Sequence, residues 1–177
     1  MCIRDRAIFA LALALLAGIW WGLRSSAGPP AVLAQHLATV EEENATIQIA
    51  LERDGGGQPL LAATFQPKKS DLHLYSKDTP RSGVEGLGRP TLLELAPGAP
   101  IGPRGELSAD VAAYPEPDGI TDEPLLIYPS GPVTLRLPIE EPESGMSLPV
   151  ALTFMLCSDH GYCTPPVENK TFSVTIP

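Results

Sequence analysis

Apolar and polar residues alternate with a period of two through most of this 177-residue chain, and prolines and glycines punctuate the runs. Alternation of that kind buries one face of a strand and cannot form the apolar stripe of a helix. Ile47, Ile49 and Leu51 alternate with Thr46, Gln48, Ala50 and Glu52, and Asp54-Gly55-Gly56-Gly57 then turns the chain. Leu60 to Phe65 and Leu72 to Tyr75 come next, with weaker runs at Thr91 to Leu95 and Glu106 to Ala113. Val133, Leu135, Leu137 and Ile139 form another stripe, and Leu148, Val150, Leu152, Phe154 and Leu156 form the longest. Phe172, Val174 and Ile176 close the chain. About seven to nine short strands separated by turns predict an all-β, two-sheet sandwich of immunoglobulin-like kind. The stretch from Ala96 to Pro124 is the least regular, and its last part, Tyr114 to Pro124, reads as a long loop.

The one helical stretch is N-terminal. Arg4 and Arg6 precede an uncharged run from Ala7 to Leu23, and Val32-Leu33-Ala34 offers a small-residue cleavage site, with Ser25-Ser26-Ala27 a second candidate. Residues 1–34 therefore read as a signal peptide or an uncleaved signal anchor, the only membrane contact expected, and residues 35–177 as a single exported domain. The whole chain carries a net charge of −9. The segment through Ala34 holds three arginines and one acid, so the remainder carries −11. Such an acidic domain without basic clusters is not expected to bind nucleic acid by neutralising its phosphates, and anionic lipid surfaces repel it.

Of the three cysteines, Cys2 lies within the export segment, which leaves Cys157 and Cys163 in Cys157-Ser158-Asp159-His160-Gly161-Tyr162-Cys163-Thr164-Pro165-Pro166. An oxidising compartment allows the two to join. Strand phase puts Cys157 on the face opposite Leu156, outside the main core, which predicts an accessible pair at the rim of the sandwich. Gly161 can turn the chain between the cysteines, and Pro165-Pro166 stops further ladder pairing. Three chemistries fit these residues: a structural staple, a pair that opens and closes by thiol exchange, or a Cu(I) site from Cys157, His160 and Cys163, with Met155 nearby. The spacing matches no zinc signature, and no cofactor is implied. His160 and Asp159 would act in opposite directions on a neighbouring thiolate, or simply be solvated turn residues.

The ten-residue run from Cys157 to Pro166 resembles the redox loop in the N-terminal domain of DsbD-type disulfide reductases. Asp159, Gly161, Tyr162, Pro165 and Pro166 fit the family's loop, and the strand start at Lys170-Thr171 fits the strand beyond that loop. Leu74-Tyr75, Ile127-Tyr128 and Leu135-Arg136-Leu137-Pro138 resemble its strands less specifically. The resemblance implies an immunoglobulin-like periplasmic domain that passes electrons from a membrane-embedded disulfide reductase to oxidised, thioredoxin-like partner proteins. It implies Cys163 as the attacking thiol and Cys157 as the resolving one. The family covers its cysteines with a loop that carries an aromatic residue. The matching stretch here, about Asp118 to Pro124, has none, and Tyr114 or Ile120 is the candidate cap. The family often continues into membrane and thioredoxin-like domains. This chain stops at Pro177, as a free-standing carrier or a truncated reading frame would.

Overall fold

The computed structural model describes residues 34–117, 121–158 and 160–177. The export segment through Leu33, Asp118 to Ile120 of the expected cap, and Asp159 lie outside the described residues. Every regular element among the described residues is a strand, and none is a helix long and apolar enough to cross a membrane.

Among the described residues twelve strands run in chain order: β1 (Gln35–Glu42), β2 (Ala45–Arg53), β3 (Pro59–Pro67), β4 (Leu72–Leu74), β5 (Leu92–Leu95), β6 (Ser108–Ala109), β7 (Tyr114–Pro115), β8 (Leu126–Ile127), β9 (Val133–Pro138), β10 (Ser147–Phe154), β11 (Leu156–Ser158) and β12 (Val167–Thr175). One sheet has the order β1-β2-β3-β9-β6 and a second the order β12-β10-β5. Their apolar faces share one core, an immunoglobulin-like sandwich as the alternation predicts. Ile47, Ile49, Leu61, Phe65 and Leu135 come from the first sheet, and Leu93, Leu148, Val150, Phe154 and Val174 from the second. Phe65 and Phe154 meet edge to face with ring centroids 5.5 Å apart, the arrangement that the ring quadrupoles favour.

The expected count of seven to nine strands was too low for three reasons. β1 lies beside the expected cleavage site, and its half-exposed pattern gives no sharp stripe. It joins β2 through Glu43 and Asn44, both at positive φ, the backbone that two-residue hairpin loops require. The predicted long strand ending at Leu156 divides at Met155 into β10 and β11, next to a register shift between Leu152 and Phe154. The expected loop from Tyr114 to Pro124 begins instead with two paired residues, because Tyr114 pairs with Ile127 and Pro115 with Leu126. Glu106 to Ala113 supplies only the short β6, and β12 starts at Val167, ahead of the expected Lys170-Thr171.

Candidate functional site: a cysteine pair on a small subsidiary sheet

The site is built on four short strands. β11 pairs with β4, the Tyr75–Ile127 bridge joins β4 to β8, and β8 pairs with β7. Hydrogen bonds fasten the joint: Ser76 N donates to Leu126 O at 2.7 Å and Tyr128 N to Leu74 O at 2.8 Å. Thr91 Oγ1 donates to Tyr75 O at 2.6 Å. Alternation then sorts the side chains. Leu72, Leu74 and Leu156 join the main core, whereas Cys157, Tyr75, Leu125 and Ile127 form a separate buried cluster. Register places His73 opposite Cys157, and Tyr114 opposite Ile127, on that second face.

Beyond Ser158 the chain turns sharply. Gly161 N donates to Ser158 O at 3.0 Å, and Gly161 takes φ +79°, a conformation that costs glycine little. Ser158 N donates to Tyr162 O and Thr164 N to Leu156 O, at 2.7 and 2.8 Å. Ser158 Oγ also accepts from His160 N at 3.2 Å. This hairpin sets Cys163 across from Cys157, and the two form a disulfide with Cα atoms 4.0 Å apart. Pro165 and Pro166 lie exposed between the hairpin and β12, outside any strand.

The two sulfurs differ in surroundings. Cys163 is exposed, whereas Cys157 is only 2% exposed. The expected phase of Cys157, away from the main core, holds, but its expected exposure does not. The second face is covered rather than open. Tyr75, Leu125 and Ile127 cover it, with Val84 and Met155 packed beside them. The turn from Val84 to Gly88 lies against the same residues. A Cβ on Gly88 would sit 3.0 Å from Tyr75 Cδ1 and 3.2 Å from Leu125 Cδ2, at φ +72°. Asp122 N donates to Glu85 Oε1 at 2.9 Å and ties this turn to the segment before β8.

Of the other expected site residues, His160 and Tyr162 are exposed beside Cys163. Tyr114, a candidate cap, is 41% exposed on β7, and Ile120 and Asp159 lie outside the described residues. Sequence reasoning missed His73, Tyr75, Glu116 and Gly88. His73 is buried, its ring meets Tyr75 edge-on at 5.7 Å, and its Nε2 lies 3.6 Å from Glu116 Oε1. Burial, with a smaller contribution from the Glu116 charge, pushes the Tyr75 phenol up to about 12. The stripe of Leu72 and Leu74 would have placed His73 and Tyr75 on the other face. The pairing of that strand with the cysteine strand left no mark in the sequence. Among the described residues, no three His, Cys, Asp or Glu side chains gather as a metal-ligand set.

No family model matches the chain, and no curated protein matches its sequence. Among solved structures the chain is similar to the DsbD N-terminal domain of Neisseria meningitidis in its reduced form. The identity is 14%, the match covers 84% of this chain and 90% of that one, and the TM-score is 0.44.

Proposed function

We propose that this domain is a thiol:disulfide exchange module of the protein-disulfide reductase type, working through Cys157 and Cys163. The observation that carries the reading is the asymmetry of the joined pair, one cysteine exposed and the other buried. Exchange runs through a mixed disulfide, so one sulfur must meet a foreign sulfur while its neighbour waits within bonding distance. Cys163 is the thiol that attacks a partner's disulfide, and Cys157 is the thiol that releases the product. Surface character supports the same assignment. Leu87, Tyr114 and Tyr162 are the exposed large hydrophobic residues among those described. Tyr162 adjoins Cys163, Tyr114 pairs with Ile127 of the buried cluster, and Leu87 lies in the turn that packs on it. Apolar side chains left around one reactive group favour a protein partner over a small solute.

The motif resemblance supplies the direction and the setting. The domain receives electrons from a membrane-embedded reductase and delivers them to oxidised, thioredoxin-like proteins in the periplasm. The small-residue cleavage site ending at Ala34 makes residues 35–177 the exported domain in this reading. The test is a trapping experiment. Cys157→Ala, reduced and offered glutathione disulfide and then a periplasmic extract, should hold stable adducts on Cys163 that reductant removes. Cys163→Ala should hold far fewer. If both variants stay free of adducts, the pair does not exchange.

A further inference from the structure

Resolution of a mixed disulfide requires Cys157 as a thiolate, and the fold makes that hard. In the disulfide-bonded domain Cys157 packs with Tyr75, Leu125 and Ile127 and is 2% exposed, and the same covered face surrounds its thiol when the pair opens without rearrangement. Apolar burial disfavours the thiolate and keeps water from taking the proton. A protein group on the same face must accept it. His73 is the cross-strand partner of Cys157, and Cβ atoms so paired stand about 4.5–5.5 Å apart. Tyr75 follows just past the end of β4, but its phenol holds its proton up to about pH 12 and cannot serve as acceptor. Glu116, carried just past β7, places Oε1 3.6 Å from His73 Nε2 and offers a counter-charge to a protonated ring. Glu85 accepts the Asp122 backbone N–H, and His160 is exposed in the hairpin turn.

We propose that His73, with Glu116 beside it, takes the proton from the Cys157 thiol as that sulfur resolves a mixed disulfide on Cys163. The inference rests on the exchange reading of the pair. Cys157 S–H gives its proton to a ring nitrogen of His73. The Cys157 thiolate attacks Cys163 Sγ, so the Cys157–Cys163 bond forms and the bond from Cys163 to the partner's sulfur breaks. The partner's sulfur leaves with the electron pair as a thiolate, reduced, while Cys157 and Cys163 are oxidised. The proton on His73 then passes to water or to that thiolate. When a donor reopens the pair by attacking Cys163, Cys157 leaves as a thiolate and a protonated His73 returns the proton.

The experiment monitors the reduced full chain with glutathione disulfide by acid quench and mass spectrometry, which separates adduct formation on Cys163 from its resolution. His73→Phe keeps a ring against Tyr75. Adduct formation should change by less than about twofold, while resolution near pH 7 slows roughly 100-fold, the low end for lost general-base help. The deficit should shrink only as pH rises above the ordinary thiol value of about 8.5, because burial pushes the ionisation of Cys157 upward. Glu116→Gln should show the same pH signature with a smaller deficit, about tenfold. If His73→Phe does not fold by circular dichroism, His73→Gln and Glu116→Gln decide the matter. Unchanged resolution, or a deficit constant across pH as a misplaced sulfur would give, overturns the role of His73. A wild type that never forms the adduct overturns the exchange reading instead.

Discussion

Reduction of the disulfide should weaken the domain without unfolding it. Cys157 and Cys163 are six positions apart, so the closed ring contains seven residues. The chain-entropy relation gives such a ring about 8 cal/mol/K, or about 2.4 kcal/mol at 25 °C. A ring closed across a hundred residues would be worth roughly twice that. The hairpin also keeps other fastenings when the sulfurs part. Thr164 N still donates to Leu156 O, Ser158 N still donates to Tyr162 O, and Leu156 still sits in the main core. A reduced Cys157 remains a small apolar side chain suited to its pocket. Urea unfolding of the oxidised chain and of the chain held in reductant, monitored by circular dichroism, measures the difference. It should be about 2 kcal/mol, and the melting temperature should fall by about 5–10 °C for a domain of this size. A loss above about 5 kcal/mol, or a reduced chain already unfolded at 25 °C, would refute the reasoning and mark the pair as a staple that the fold depends on.

The covered face has two further consequences. Tyr75 should contribute nothing to the tyrosinate absorbance until pH nears 12, against an ordinary 10.0. The folded chain holds that proton where the unfolded chain releases it, so stability should be full below pH 10.0 and fall between there and about 12. Tyr75→Phe should remove that alkaline decline, and spectrophotometric titration beside urea melts checks both. Gly88→Ala forces a side chain at φ +72° against Tyr75 and Leu125 and should cost about 1–3 kcal/mol. Local opening should then let iodoacetamide reach reduced Cys157 roughly tenfold faster. Equal labelling of Cys157 in both proteins would show that the turn does not guard it.

The alternation at Ile47 to Leu51, Leu60 to Phe65, Val133 to Ile139 and Leu148 to Phe154 was enough to read the sandwich, because each run has one face in the shared core. The cysteine pair was legible for a similar reason. Strand phase put Cys157 opposite Leu156, and Gly161 marked the turn that returns Cys163. Strand phase leaves open the cover over a face turned away from the core. That cover consists of residues distant in sequence, Tyr75, Leu125 and Ile127, drawn together by one bridge and a few backbone hydrogen bonds. Two-residue strands such as β7 and β8 are too short for any period to show. His73 looked like one polar residue in an apolar run, and only the register with β11 gives it a neighbour of consequence.

The handover at Met155 limits how this corner can diverge. Phe154 closes the sandwich strand, and Leu156 resumes the inward phase two positions later. Adding or removing one residue there would exchange the two faces, turning Leu156 outward and driving the sulfur into the apolar interior. Adding two would restore parity but carry the sulfur past His73. The separation between stripe and cysteine is thus quantised, so this corner tolerates a substitution more readily than a change of length by one residue.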